Sequence, residues 1–184
     1  MQYEILDIRD FSSEYFDEKL DMLPLTLQKS IQQFKNQNDQ YTRILAYTTL
    51  AKLLKIDPIN LIFERLEHGK PYLYTVIPAE AGIHDKNVNF NISHTKNYIL
   101  VAVSDSEIGV DIEELPDFSM LDLKNVFTEN EIENQTEQYL LKIWTMKESY
   151  LKCRGIGLTG LDTINITNLS ELDILTNLPA NYKI

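Results

Sequence analysis

Apolar and polar positions alternate from Gln2 to Arg9 around Tyr3 and Ile5, which predicts an opening strand that turns at Asp10. Ser12 or Ser13 can cap a short helix over Glu14 to Leu20. A second helix, Pro24 to Phe34, opens with proline in its first turn. Gln37 to Lys55 is the clearest helix of the first half. Ile44, Leu45, Tyr47, Thr48, Ala51 and Leu54 share one stripe, and Asp57-Pro58 stops it.

The pattern then shortens. Leu61 to Leu66 and Tyr72 to Val76 read as strands around the turn Glu67 to Pro71, and Pro78 to Lys86 has loop composition. Val88 to Ile92 and Tyr98 to Val103 read as buried strands, and Ile108 to Ile112 as another, ended by Glu113, Glu114 and Pro116. Thr128 to Asn134 begins a helix, with Glu131 three residues after the cap. Tyr139 to Cys153 is a strong helix that Gly155 and Gly157 terminate, and Leu161 to Ile166 is a late strand. Strands and helices mix without regular βα alternation, and no glycine-rich dinucleotide loop or Walker loop appears. The predicted class is α+β.

Composition narrows the setting. The 184 residues are 43% hydrophobic, enough for one compact unit or two tightly packed halves. One cysteine, Cys153, permits no internal disulfide and suits a reducing compartment. No signal-like N-terminus or membrane-length apolar run is present, so a soluble cytoplasmic protein is expected. Residues 1–104 carry 11 Lys/Arg against 13 Asp/Glu, and residues 105–184 carry 6 against 15. Such an acidic second half argues against a nucleic-acid surface. It suits a solvated acidic face, the commoner case, or a hard-cation site.

Three clusters carry candidate chemistry. On an extended Ile108-Gly109-Val110-Asp111-Ile112-Glu113, Asp111 and Glu113 project from one face, opposite Ile108, Val110 and Ile112. Neighbouring carboxylates repel unless a cation or proton lies between them, although an ordinary half-exposed strand has the same pattern. In Trp144-Thr145-Met146-Lys147-Glu148-Ser149-Tyr150-Leu151-Lys152, positions 144, 148 and 152 share a helical stripe. Trp144 can pack in the core while Glu148 and Lys152 face a metal and a phosphate, or the last two form a surface pair. In Phe90-Asn91-Ile92-Ser93-His94-Thr95, the histidine can meet a phosphate, act as a base, or only stabilise a turn. Gly69-Lys70-Pro71 is a turn with an exposed lysine on the same terms.

Their order is more specific than any one of them. Gly-Lys-Pro, Asn-Ile-Ser-His, Ile-Gly-Val-Asp-Ile-Glu, Phe-x-x-x-Glu and Trp-x-x-Lys-Glu-Ser-x-x-Lys, in sequence, resemble the 4′-phosphopantetheinyl transferase superfamily. The likeness is to its monomeric surfactin-synthetase-activating type and runs from about Arg43 to Leu158. The resemblance implies two similar α+β halves, 1–104 and 105–184, with coenzyme A in the cleft between them. It implies Mg²⁺ held by Asp111, Glu113 and Glu148, with Lys152 and His94 on the phosphates and Ser93 beside them. Lys70 would bind the 3′-phosphate, Arg43 would lie near the nucleotide, and Glu131 would act as base on the incoming serine. Lys29 is the one basic residue placed to assist before the first long helix.

The implied reaction moves the phosphopantetheine arm of coenzyme A to a serine of an apo acyl or peptidyl carrier protein. The alternative is a non-catalytic module binding coenzyme A or the carrier. Carrier proteins are usually acidic near their serine, so Lys124, Lys142, Lys147 and Arg154 are expected to form a local basic patch. Two departures stand out: Thr75 to Asn87 is longer than the family's loop, and the chain ends early at Tyr182-Lys183-Ile184. A monomer is the family default, and a shortened second half leaves a dimer as the alternative.

Overall fold

A computed structural model describes residues 1–65, 71–73, 88–117, 119–133, 136–157, 161 and 164. Its centre is β5 (Tyr98–Ser104), paired antiparallel on one side with β1 (Gln2–Asp7) and on the other with β4 (Asn89–His94). The registers run from Gln2 opposite Val103 to Asp7 opposite Tyr98, and from Asn89 opposite Ser104 to His94 opposite Ile99. Between β1 and β4 lie α1 (Ser13–Asp21), α2 (Leu25–Gln32), α3 (Gln37–Leu54) and the hairpin of β2 (Phe63–Arg65) with β3 (Pro71–Leu73). After β5 come an extended segment, a 3₁₀ stretch over Met120–Val126, α4 (Glu129–Ile132) and α5 (Glu137–Arg154).

The uninterrupted apolar run of β5 follows from burial on both faces. Ile99, Val101 and Val103 enter the main core with Phe90 and the α3 residues Ile44, Leu45, Leu50, Ala51 and Leu54. Leu100 and Ala102 face the other way, against Ile108, Val110 and Ile112. A third cluster, Met120, Phe127, Leu140 and Ile143, joins the 3₁₀ stretch to α5. The mixture of helix and sheet is α+β, as expected.

The helix ends follow local chemistry. Ser12 Oγ accepts from the Tyr15 N–H, Asn36 Oδ1 from Asn38 at 2.9 Å, and Thr136 Oγ1 from Tyr139 at 3.2 Å. Gly155 closes α5 with φ 67°, its N–H on the Leu151 carbonyl at 2.8 Å. The buried face of α3 is wider than its predicted stripe: Thr42, Ala46, Thr49 and Leu50 are buried too, because α1 and α2 cover the side away from β5. Helix α4 is shorter than the predicted 128–134.

One predicted element differs in kind. Ile108–Ile112 joins no strand ladder among the described residues, although Ile108, Val110 and Ile112 are buried in the expected alternation. Side chains of β4 bind it where backbone pairing was expected: Asn91 Oδ1 accepts the Val110 N–H at 3.0 Å. The Thr75–Asn87 loop, most of the Leu161–Ile166 strand and the final residues lie outside the described residues.

The first-half core depends on its aromatic packing. Phe16 is 1% exposed and stacks on Tyr41 with centroids 3.7 Å apart. Phe16→Ala is expected to lower stability by about 3–5 kcal/mol, the usual cost of an aromatic-sized core truncation. Urea unfolding followed by far-UV circular dichroism measures it.

Candidate active site

The site begins with a glycine. A Cβ on Gly109 would lie 1.9 Å from the Ser149 carbonyl oxygen and 2.3 Å from the Cys153 nitrogen, so α5 presses directly on the backbone of the 108–112 segment. With Ile108, Val110 and Ile112 committed to the sheet side, Asp111 and Glu113 turn toward the helix face that carries Glu148 and Lys152.

Three groups meet at the centre. Ser93 Oγ donates to Asp111 Oδ1 at 2.7 Å, and the Lys152 ammonium donates to the same oxygen at 2.5 Å and to Ser93 Oγ at 2.8 Å. Ser93 is 3% exposed, the Asp111 side chain 3% and the Lys152 side chain 30%. The second carboxylate oxygen, Asp111 Oδ2, is buried without a hydrogen-bond partner among the described residues. A buried, unpaired carboxylate oxygen is costly and usually marks an unfilled role.

The flanking carboxylates feel this charge. Burial raises the Glu148 carboxyl, and Asp111 and Glu113 add to the rise while Lys152 opposes it. Burial likewise raises Glu113, against a hydrogen bond from Trp144 Nε1 to its Oε1 at 2.9 Å. Trp144 is therefore more than the core filler its position suggests: it aims Glu113. On the sequence this role was invisible, because its partner is 31 residues away.

His94 stands exposed at the rim where β4 ends. Burial of its ring environment, then Arg43 and Lys152, hold its imidazole below the ordinary 6.5, with Asp39 and Asp111 pulling the other way. Arg43 stacks over the Phe34 ring at 3.7 Å from its centroid. Arg43, Ser93, His94, Asp111, Glu113, Glu148 and Lys152 thus share one electrostatic neighbourhood drawn from both parts of the chain. Lys29 is exposed on α2, with no described contact to this group, and Lys70 lies outside the described residues.

Glu131 does not join it. Its side chain is 0% exposed and forms an ion pair at 2.6 Å with Lys147, also 0% exposed. The Thr128 N–H donates to the same Glu131 oxygen at 2.8 Å. Lys147 completes its three donors on the Val126 and Leu161 carbonyls at 2.8 and 3.0 Å. The expected catalytic base is sealed in the core, and Lys147 is no part of a surface patch. Helical spacing holds the clue: 147 lies four residues from both Ile143 and Leu151, each buried.

A divalent cation fits the residue types. The candidate donors are all hard carboxylate oxygens, and Asp111 Oδ2, buried without a hydrogen-bond partner among the described residues, is one that a cation could take. Among the described residues no three His, Cys, Asp or Glu side chains converge closely enough to form a complete cage. An all-oxygen donor set is the type that Mg²⁺ takes, with water and phosphate oxygens completing its shell.

Two measurements test this geometry. Gly109→Ala should force α5 from the segment and cost about 1–3 kcal/mol, the range for overpacking, with the loss read in chemical denaturation. The His94 imidazole should titrate below 6.5 by NMR, and Arg43→Ala should move its midpoint upward, since removing a cation eases protonation. A midpoint unmoved by that change would show that Arg43 lies too far away to act on it.

Comparison with known proteins gives this arrangement a family. The model for the N-terminal part of 4′-phosphopantetheinyl transferases matches residues 10–106, and the model for the 4′-phosphopantetheinyl transferase superfamily matches 107–182. A 4′-phosphopantetheinyl transferase of Bacillus subtilis is 32% identical over 148 residues, covering 76% of this chain and 62% of that protein. One from Aneurinibacillus migulanus is 28% identical over 142 residues, 71% of this chain and 55% of that one. A second from Bacillus subtilis is 23% identical over 192 residues, 98% and 82%. The chain thus spans between half and two thirds of the length of the first two. With matches to both parts covering most of its length, this chain belongs to the 4′-phosphopantetheinyl transferase superfamily.

Proposed function

We propose that this chain transfers the 4′-phosphopantetheine arm of coenzyme A to a serine of an apo carrier protein, in a Mg²⁺-dependent reaction releasing 3′,5′-ADP. The observation that carries the reading is the node at Asp111: one oxygen held by Ser93 and Lys152, the other buried without a partner. Family membership and relatives bearing the transferase name support the reaction class.

In this reading, the carrier serine oxygen forms a bond to the phosphorus bearing the pantetheine arm, and the bond from that phosphorus to 3′,5′-ADP breaks. Lys152, His94 and Arg43 receive the phosphate charge, and charge placed ahead of the reaction lowers its barrier. Asp111, Glu113 and Glu148 would hold the Mg²⁺, which supplies further neutralisation of the phosphoryl oxygens. Lys70, from the Gly-Lys-Pro turn, is assigned the 3′-phosphate. The serine proton must leave on the open side of this cluster, because Glu131 is closed off by Lys147.

The two units are taken as 1–104 and 105–184, with coenzyme A between them; the meeting of the two family matches at 106–107 supports that division. The carrier would approach over the exposed Lys124 and Arg154 with apolar contacts from Leu115 and Leu121, 69% and 48% exposed. No helix among the described residues is long and apolar enough to cross a membrane.

Mass spectrometry of several apo carriers, each incubated with the protein, coenzyme A and Mg²⁺, tests the reading. A carrier should gain the phosphopantetheine mass. Asp111→Ala and Glu148→Ala should each lower the rate at least about 100-fold, of the order seen when a transition-state charge stabiliser is lost, with circular dichroism unchanged. Coenzyme A binding without gain on any carrier would instead favour a binding module.

A further inference from the structure

We propose that Glu114 is a positioning residue for this reaction: a carboxylate latch that fixes the cation-binding segment against the turn following His94. The proposal rests on the transferase reading and concerns a residue outside the cation-binding and phosphate-binding groups described above.

The geometry is specific. Glu114 Oε2 accepts the Asn97 backbone N–H at 3.1 Å, and Oε1 accepts Asn97 Nδ2 at 2.6 Å. Both oxygens of one carboxylate therefore accept from Asn97 in the β4–β5 turn, with Thr95 of the same turn hydrogen-bonding it too. Burial pushes the Glu114 carboxyl up, but the hydrogen bonds from Thr95 and Asn97 outweigh it and leave the group below its ordinary value.

That turn is an anchored point. The Ile8 N–H at the end of β1 donates to the Asn97 carbonyl at 2.8 Å, and Asn38 Nδ2 at the start of α3 donates to the Lys96 carbonyl at 2.9 Å. The Thr95 N–H bonds the Tyr98 carbonyl at 2.9 Å across it. Glu114 thus grips a site already tied to the strand and helix of the first half.

Among the described residues the 110–114 segment joins no backbone ladder, and three side-chain attachments set its register against β4 and the turn after it. Asn91 takes the Val110 N–H, Ser93 binds Asp111, and Asn97 is held by Glu114. The attachments advance together along both chains, in parallel. Two of them include the candidate ligand Asp111 or its neighbour. The third lies beyond Glu113, so Asp111 and Glu113 are held from both sides. Without the latch, Glu113 would keep only its Trp144 hydrogen bond, and the carboxylates would lose their fixed offset from His94.

The effect expected is on turnover more than on nucleotide binding, because Glu114 touches no phosphate-binding group. Glu114→Ala should lower kcat at least 10-fold while KM for coenzyme A changes less than 3-fold. Hydrogen exchange at the Asn97 and Val110 amides should quicken at least 10-fold, with β5 amides unchanged. Asn97→Ala should lower kcat as well, and the double variant should be no slower than Glu114→Ala alone. Glu114→Gln, which keeps one acceptor, should fall between.

Turnover within 2-fold of the unaltered protein, or equally faster exchange throughout β5, would overturn the latch, the second result reducing Glu114 to a general stability role. Multiplying kcat losses in the double variant would overturn it also. If the unaltered protein modifies no carrier, the transferase reading fails by itself. The latch between segment and turn would then be decided by exchange at Asn97 and Val110, which needs no turnover.

Discussion

The site exists because α5 lies against a backbone with no side chain. Gly109 leaves the Ser149 carbonyl and the Cys153 nitrogen room that no other residue would allow. The carboxylates of the 108–114 segment consequently sit beside Glu148 and Lys152, one turn apart on the helix. The same contact frees the opposite side of the segment to cover β5, where Leu100 and Ala102 need an apolar partner. One close approach therefore couples core formation to site assembly, which places a stability cost and a functional cost on the same residue.

The assembled charges are out of balance in a way that invites a ligand. Burial first, and repulsion from the neighbouring carboxylates after it, raise the Glu113 and Glu148 carboxyls, while Lys152 opposes the rise. On the first-half side burial, then Arg43 and Lys152, depress His94. In the proposed reading, a cation at the acidic end and a polyphosphate at the basic end would offset both together. Binding of either partner should for that reason favour the other, a coupling that follows from linkage without any conformational change.

Much of this was legible in the chain. Period-two burial at 108–113, the α5 stripe and the glycine caps were all read correctly from spacing, because each depends on neighbours within one or two turns. The resemblance of five ordered motifs carried the family. What spacing could not show were partners distant in sequence: Trp144 on Glu113, Asn97 on Glu114, Asn91 on Val110. The predicted strand at 108–112 keeps its alternating burial but joins no ladder among the described residues. An alternating pattern reports which side is buried, and it cannot say whether the backbone is paired by a ladder or by side chains.

Glu131 and Lys147 show how a motif can be placed correctly and its chemistry misread. Both lie in the expected motifs, yet they face each other in the core at 0% exposure. Desolvating two charges costs several kcal/mol each, so this pair adds little net stability over an apolar pair of the same shape. Its value is specificity. Three fixed donors on Lys147 tie α4, the Val126 carbonyl and the Leu161 carbonyl to one point on α5, immediately before Glu148. An apolar replacement would fill the volume but lose these directional attachments at the residue next to Glu148. Two carboxylates of the second half thus have partners that hold structure, Glu131 on Lys147 and Glu114 on Asn97, apart from the Asp111, Glu113 and Glu148 group beside Lys152.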